Sequence, residues 1–367
     1  MTPRTQVARA ALGPDVSPPE RAAEVARRIE LVADRLAELG AGGVVLATRR
    51  NVAWLTAGGM THVVLASETA AAPVLVTAGS EAIVLAPNNE AARIADEELA
   101  GLPIEVASLP WPDRHAIPDE AERRTGRTPV DDQDVEEWLI ARRSVLVPFE
   151  SSRVAWLGGR VRQAIDAALS TIAPEATEDE AVAEMTSRLA RDGIRAAVVL
   201  AAADERIERY RHPLPGSSRI RDRLMLIAVG ERWGLHAAYT GIRDFEPPPR
   251  EIAVRMVQVR AVHDEMVRVS RPGATLGDVF EAARTAYAKA GVPDEWTLHH
   301  QGGTIGYQPR ETIAGPGDRT VIEPGMALAW NPSITGAKAE STILVKHDGP
   351  PVDVTRAQQA GRTDRDD

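Results

Sequence analysis

The segment Leu298-His-His-Gln-Gly-Gly-Thr-Ile-Gly-Tyr-Gln-Pro-Arg-Glu311 combines two adjacent histidines, three glycines and an arginine. Glycine at this density indicates tight turns or close backbone packing rather than a helix. Imidazole and guanidinium groups move protons and bind anions. The segment therefore predicts a turn that carries functional side chains.

Further clusters of polar residues and glycine surround this segment in the second half of the chain. They are Tyr210-Arg-His-Pro-Leu-Pro-Gly216, Ile227-Ala-Val-Gly-Glu-Arg-Trp-Gly-Leu-His-Ala-Ala-Tyr-Thr240 and Ile322-Glu-Pro-Gly-Met-Ala-Leu-Ala-Trp-Asn-Pro-Ser333, the last followed by Gly336-Ala-Lys-Ala-Glu-Ser-Thr-Ile-Leu344. The candidate chemistry is thus concentrated after residue 200.

Composition excludes several classes of site. The 367 residues include no cysteine, so there is no disulfide, cysteine zinc site, iron–sulfur cluster or thiol nucleophile. The net charge of -10 argues against a nucleic-acid binder. Only three of the 43 basic residues are lysines (Lys289, Lys338 and Lys346), a bias that we attribute to the composition of the coding genome. No run of about 18 apolar residues occurs, so no membrane span is expected and a cytoplasmic location follows by default.

Hydrophobic periodicity predicts an α+β protein of two domains. Residues 1–20 are expected to be frayed, and residues 21–148 to form a small mixed domain. Residues 149–355 are expected to form a second domain with helices on one face of a curved antiparallel sheet, followed by a disordered tail over 356–367. The boundary is placed near Val147-Pro148, because an X-Pro step disfavours helix.

Local patterns give more detailed expectations. A helix runs from Arg21 and ends at Gly40, and Thr177 with Glu180 has the spacing of a capping box. Asn51 to Gly58 is expected to turn the chain, and Pro110 to Arg127 to be irregular.

The four clusters, in this order and spacing, resemble those of the family that contains creatinase, prolidase, aminopeptidase P and methionine aminopeptidase, which has the pita-bread fold. The resemblance extends over nearly the whole chain. It implies a small creatinase/prolidase-like N-terminal domain, a C-terminal pita-bread domain and a homodimer.

The resemblance also implies positions for five metal ligands, of which this sequence keeps only one. The two aspartate positions are Ala228 and Tyr239, the histidine position is Gly303, and the first glutamate position is Asn331. Only Glu340 is retained, and one carboxylate cannot hold two divalent ions. We therefore expect no metal and no other cofactor.

Three histidines remain near the expected pocket. His212 resembles the histidine that acts as acid and base in creatinase without a metal, although it could instead order a proline-rich loop. His299 matches a second histidine on the substrate side, and His300 follows it. If the segment is a strand, the two rings face opposite ways. We expect His299 to face the pocket, and a hydrogen-bonded structural histidine is the alternative.

Four further residues complete the candidate site. Arg310 could bind a substrate carboxylate or pair with Glu311 or Glu340. Tyr239 could donate a hydrogen bond or fill the volume of the lost metal, and Asn331 could bind substrate or complete a buried network. Glu340 is the best candidate to bind a guanidinium or ammonium group, or it pairs with Arg310.

The residues and the resemblance together favour a metal-independent hydrolase or lyase that acts on a C–N bond of a small polar substrate, an amino acid, amide or guanidino compound. His212, His299 and Glu340 would be catalytic, and Arg310, Tyr239, Asn331 and His300 would bind substrate. Two alternatives stay open. One is an inactive homologue that binds a ligand; the other is a remodelled single-metal peptidase using His212, His236, His299 and Glu340. No nucleic-acid or membrane partner is expected.

Overall fold

The computed structural model describes residue 14 and residues 16–356, which divide into two compact units. One unit consists of residues 16–143 together with Trp233–Leu235, and the other of Ser144–Arg232 and residues 236–356. The division falls slightly before the expected boundary at Val147-Pro148. The tail expected over 356–367 lies outside the described residues except for Arg356, as does the expected frayed start up to residue 13.

The N-terminal unit is built on a five-stranded mixed sheet. Its strands, in the spatial order β4-β3-β2-β1-β5, are β1 (Gly43–Thr48), β2 (Thr69–Thr77), β3 (Ala82–Pro87), β4 (Glu105–Leu109) and β5 (Val130–Asp131). Its helices are α1 (Pro18–Leu39), α2 (Arg49–Leu55), α3 (Ala91–Arg93), α4 (Ala116–Thr125) and α5 (Glu136–Arg143), with a π-helical segment at Ile94–Glu98 and a 3-10 helix at Asp132–Val135. Pairing is antiparallel along β1, β2 and β3 and parallel at both edges.

Helix α1 confirms the predicted end and corrects the predicted start. Gly40 ends the helix in the left-handed region at φ 63°, which glycine adopts without strain. The helix begins at Pro18, and the side chain of Ser17 caps it. Residues 18–20 are therefore helical rather than frayed.

Two expected loops of this unit contain helices instead. Within Asn51 to Gly58, the buried apolar residues belong to the short helix α2, which uses Trp54 and its neighbours to fill the core. Within Pro110 to Arg127, helix α4 buries a single residue, Ala121, so its sequence shows almost no apolar periodicity. Tertiary contacts stabilise helical structure in both segments, although the local sequence pattern of each is weak.

The C-terminal unit packs long helices against antiparallel strands. Its helices are α6 (Pro148–Thr171), α7 (Glu178–Arg191), α8 (Glu205–Arg209), α9 (Arg250–Val269) and α10 (Leu276–Lys289), with a 3-10 helix at Glu295–Leu298. Its strands are β6 (Arg195–Ala203), β7 (Arg223–Arg232), β8 (Leu235–Asp244), β9 (Gly302–Ile305), β10 (Thr312–Ile313), β11 (Ala327–Trp330), β12 (Ser333–Ile334), β13 (Ala337–Lys338), β14 (Ser341–Leu344) and β15 (Val352–Asp353). The predicted capping box of α7 is confirmed: Thr177 accepts from the amide of Glu180, whose carboxylate accepts from the amide of Thr177.

The strands of this unit form a three-stranded sheet β6-β7-β8, a five-stranded sheet β10-β9-β11-β14-β15 and the hairpin β12-β13. One apolar core lies between helices α6 and α7 and strands β6 to β8, and another between helices α9 and α10 and strands β11 and β14. Thr342 of β14 links the first two sheets, because its hydroxyl bonds both the amide and the carbonyl of Ala238 in β8. The predicted α+β fold class is confirmed.

No helix within residues 16–356 has both the length and the hydropathy needed to cross a lipid bilayer.

Candidate active site

Three histidines of the C-terminal unit converge on one point. Nε2 of His212 and Nε2 of His299 are 3.0 Å apart, and a ring nitrogen from each of His212, His299 and His300 lies within 4.8 Å of the others. The rings of His299 and His300 stack at 4.4 Å between centroids. His212 is exposed, whereas His299 is 8% exposed. The cluster therefore connects solvent to a buried imidazole.

Both histidines at 299 and 300 belong to this cluster, so the expectation that their rings face opposite ways is wrong. That expectation assumed a strand, but β9 begins only at Gly302, and His299 directly follows the 3-10 helix Glu295–Leu298. The side chain of Gln301 donates to the carbonyl oxygen of His299 at 2.5 Å and holds the backbone in this form.

All three imidazoles have depressed pKa values. Burial lowers the pKa of His299 to about 2, and the positive charge of Lys338 adds to that shift. Burial lowers the pKa of His300 to about 4, and the positive charge of Arg310 adds to that shift. Partial burial of its ring also lowers the pKa of His212, although the residue as a whole is exposed, with Lys338 adding to the shift and Glu340 opposing it. The cluster is therefore neutral near pH 7, with imidazole lone pairs available.

Glu340 lies in a cage of donors beside the histidines. Its Oε1 accepts from Nη2 of Arg310 at 3.1 Å, and its Oε2 accepts from the hydroxyl of Thr240 at 2.5 Å. Burial would raise the pKa of Glu340, but Lys338, Arg310 and Thr240 together hold that pKa below its usual range. Of the alternatives that the sequence left open, the ion pair between Arg310 and Glu340 is the one observed.

Lys338 is the site residue that the sequence analysis missed. Its Nζ lies 3.5 Å from Oε2 of Glu340, and its side chain is buried. Burial lowers the pKa of Lys338, and Glu340 opposes this shift. Two features of the sequence point to it: it is one of only three lysines, and it stands just two residues before Glu340.

The structure does not bring Tyr239 to this cluster. Tyr239 packs with Ala228 against the core of helices α6 and α7, and its ring lies 5.7 Å from the guanidinium of Arg162. Successive residues of a strand face opposite sides, so Thr240 rather than Tyr239 reaches Glu340. The two residues placed at the aspartate positions therefore line a core, which favours the space-filling alternative for Tyr239.

The other two substituted ligand positions, Gly303 and Asn331, also differ from the metal site that the resemblance implies. A Cβ added to Gly303 would lie 1.9 Å from the carbonyl oxygen of Thr312, so no histidine fits there without moving the backbone. Asn331 is 2% exposed, and its Oδ1 has no hydrogen-bond partner among the described residues. With two cations on the one remaining carboxylate, this position does not fit a pair of divalent ions.

The histidine cluster is the remaining place where the described residues bring ligand-type side chains together. His236 is not part of it, because its Nδ1 lies 3.0 Å from the carbonyl oxygen of Gly306 instead. Lys338 depresses the pKa of all three cluster histidines. The same positive potential opposes a metal dication at this point.

Comparison with known proteins agrees with this architecture. Residues 157–347 match the model of metallopeptidase family M24. The probable dipeptidase PepE of Mycobacterium tuberculosis (strain H37Rv) is 28% identical over 134 residues, which span 34% of this chain and 36% of that relative. Among solved structures, a dipeptidase from Pyrococcus horikoshii OT3 has a TM-score of 0.75 at 18% identity, with 90% of this chain and 98% of that one covered.

Two further structures have the same fold. The prolidase from Pyrococcus horikoshii OT3 has a TM-score of 0.73 at 18% identity, covering 91% of this chain and 99% of that one. Dipeptidase PepE from Mycobacterium ulcerans has a TM-score of 0.71 at 18% identity, covering 92% and 97%. The family model spans more than half of the sequence, so this chain, with its pita-bread fold, belongs to metallopeptidase family M24, a family of hydrolases.

Proposed function

We propose that this protein is a metal-independent hydrolase that breaks a C–N bond of a small polar substrate, with His212 as the acid and base. The main observation behind this proposal is that Lys338 and Arg310 lie beside the same carboxylate. Both cations contact Glu340, the one ligand position of the family that this sequence keeps. Their charges take the role in this pocket that the family gives to metal ions.

The contact between His212 and His299 supports proton transfer. Two ring nitrogens at 3.0 Å need one proton between them, so one ring donates and the other accepts. Because the pKa of His299 is about 2, a proton taken up by the pair resides on His212, which is exposed to solvent. His299 thus positions His212 and fixes its tautomer.

The hydrolytic step follows from these roles. Neutral His212 accepts a proton from the attacking water while the oxygen of that water forms a bond to the carbonyl carbon and the π electrons of the C=O bond move onto the carbonyl oxygen. The protonated imidazole then gives the proton to the leaving nitrogen as the C–N bond breaks and the C=O bond re-forms, which yields a carboxylic acid and an amine. No oxidant, reductant or further reactant is needed.

The charges around Glu340 favour an amide over a guanidino substrate. Glu340 was the group expected to bind a guanidinium, but Arg310, Lys338 and Thr240 already engage both of its oxygens. The relatives named as dipeptidases and prolidases suggest a dipeptide-like amide. The chain aligns with about a third of the length of its curated relatives, so their activity enters here as part of the proposal.

Turnover of dipeptides, amides and guanidino acids by the purified protein tests this proposal, with His212→Ala as the variant and exposed His347→Ala as the matched control. We expect hydrolysis of at least one dipeptide or amide. His212→Ala should lower kcat by about 100-fold to 10,000-fold, as for other general acid–base residues, and His347→Ala should not.

Two results would contradict the proposal. Full activity of His212→Ala would show that His212 is not the acid and base of the reaction. Tight binding of a panel compound without any turnover would favour the inactive ligand-binding homologue.

A further inference from the structure

Arg211 joins three chain segments of the C-terminal unit at a single point. Its Nη2 donates to Oε2 of Glu295 and to Oγ1 of Thr335, each at 2.9 Å. Glu295 in turn accepts from both donors of Thr335, from its amide at 3.0 Å and from its hydroxyl at 2.8 Å. The hydroxyl of Thr335 therefore accepts from Arg211 and donates to Glu295, so the three side chains form a closed ring of hydrogen bonds.

The ion pair of Arg211 and Glu295 ties together the two segments that carry the paired histidines. Arg211 directly precedes His212, which lies in the irregular segment between α8 and β7. Glu295 begins the 3-10 helix that ends immediately before His299. A shift of either segment would change the 3.0 Å contact between the two imidazole rings, so the ion pair holds both sides of that contact.

Thr335 connects this ion pair to a turn that is itself held in place. Thr335 lies between β12 and β13, and Nη1 of Arg255 donates to its carbonyl oxygen at 2.8 Å. Nη1 of Arg223 donates to the carbonyl oxygen of the next residue, Gly336, at 2.7 Å. Gly336 has φ 79°, a conformation that favours glycine. Helix α9 and strand β7 thus hold the turn, and the turn holds the ion pair.

The loop of His212 is held by arginine side chains on both sides of the histidine. After His212, the carbonyl oxygen of Leu214 accepts from Nη2 of Arg206 at 2.8 Å. Before His212, the side-chain anchor is Arg211. His212 is exposed, so without the anchor that precedes it the imidazole would be free to turn away from His299 into solvent.

We propose that Arg211 is a positioning residue that sets the contact between His212 and His299. Its guanidinium fixes the loop of His212 against the segment that leads to His299, which keeps the two rings within hydrogen-bond distance. The side chains of Arg211 and Glu295 are 18% and 19% exposed, so solvent screens their ion pair less than it screens a pair on the open surface. This inference rests on the proposed function only for its effect on turnover.

Long-range ¹H–¹⁵N spectra of the full-length protein, labelled with ¹⁵N-histidine and kept near neutral pH, test this role without a substrate. In the wild type, the 3.0 Å contact needs one donor and one acceptor, so the rings of His212 and His299 each favour one tautomer. In Arg211→Met, we expect both sets of ring signals to move toward those of free neutral histidine, and kcat to fall about tenfold to 100-fold. Arg209→Met is the control, because exposed Arg209 has the same charge and its guanidinium lies over the ring of Tyr210 instead.

Thr335→Val is a milder second variant, which removes the hydroxyl between Arg211 and Glu295 and keeps both charges. Its ring signals should move in the same direction by a smaller amount, and it decides the test if Arg211→Met does not fold. Wild-type ring signals in the folded variants would overturn the positioning role, because a purely structural ion pair would lower stability and leave the rings in place. An equal movement in Arg209→Met would overturn it too. Ring signals that move as expected in a protein that hydrolyses nothing would contradict the proposed hydrolysis and leave the positioning of His212 intact.

Discussion

The network around Asp132 in the N-terminal unit and the cluster around Lys338 in the C-terminal unit are both buried and charged, but they differ in how completely their atoms are paired. Asp132 Oδ2 accepts from the amides of Ala47 and Thr48 at 2.8 Å and 2.5 Å, and its Oδ1 accepts from Asn51. The amide oxygen of Asn51 in turn accepts from Arg143 at 2.8 Å. Every polar side-chain atom of Asn51 and Asp132 is thus engaged.

The cluster around Lys338 leaves polar atoms unpaired. Nδ1 of His299, Nδ1 of His300 and Oγ of Ser333 are buried without partners among the described residues. Native interiors rarely leave such atoms unpaired, because each costs free energy. The contrast indicates that the network around Asp132 stabilises the fold, whereas the unpaired atoms around Lys338 are available to a ligand.

Removing the acceptor from the paired network should have the largest effect on stability. In Asp132→Ala, three buried donors would lose their acceptor, and we expect the free energy of unfolding to fall by about 3–5 kcal/mol. Chemical denaturation measures this, with exposed Asp96→Ala as the control. A loss below about 1 kcal/mol would show that the paired network is not what stabilises this unit.

Replacing Lys338, the cation of the unpaired cluster, should abolish activity while leaving stability almost unchanged. In Lys338→Met, Glu340 keeps Arg310 and Thr240, so we expect the free energy of unfolding to change by less than about 1 kcal/mol. Activity should be lost in the same variant. If denaturation of Lys338→Met, beside the exposed control Lys346→Met, instead reveals a loss as large as that of Asp132→Ala, the two networks do not differ as argued.

Acid should weaken the fold through the histidine cluster. The folded pKa values of His299 and His300 are about 2 and about 4, below the ordinary 6.5. As the pH falls below 6.5, the unfolded chain takes up protons that the folded chain does not, so stability falls, by at most about 1.4 kcal/mol per pH unit per histidine. Thermal unfolding at several pH values should be less acid-sensitive in His300→Gln, whereas His347→Gln should match the wild type.

Asp132 should respond to acid in the opposite direction. Burial raises its pKa above the ordinary 3.8, so the folded chain binds the proton more readily than the unfolded chain does. Its contribution is therefore present at low pH and lost as the pH rises through the folded pKa. Compared with the wild type, Asp132→Asn should lose less stability as the pH rises through that range, and an unaltered pH dependence would contradict this assignment.

The smallest effect is expected at Thr240. Thr240→Val removes one hydroxyl donor from Glu340, which keeps its two cations, and should cost about 1 kcal/mol of stability and a modest part of kcat/KM. The neighbouring change Tyr239→Phe should lower kcat/KM less, because Tyr239 faces the helices. If Tyr239→Phe instead lowers kcat/KM more than Thr240→Val does, Tyr239 belongs to the site.

The sequence predicted the fold where the motifs were strong. The order of the glycine-rich clusters led to the family, and capping patterns at Thr177 and Gly40 fixed helix ends. Helix α4 was missed because it buries almost no apolar surface. His212, His299, His300, Arg310 and Glu340 were proposed from the sequence, and the structure places the three histidines in one cluster and pairs Arg310 with Glu340.

The rest of the site depended on which face of a strand each residue occupies. Counting eleven residues along the hairpin led to Tyr239, whereas the pleat turns Thr240 toward Glu340. Lys338 was overlooked because its rarity was read as genome composition alone. Its relevance to the site depends on the ion pair with Glu340, which only the three-dimensional structure shows.

Under the proposed function, Lys338 and Arg310 stand in for metal ions in this member of a metallopeptidase family. The most direct test is elemental analysis of active protein purified without chelator, followed by the rate of substrate hydrolysis after dialysis against a chelator. We expect bound divalent metal far below one ion per chain and an unchanged rate. Stoichiometric metal, together with activity that the chelator removes and added metal restores, would contradict the proposed metal independence.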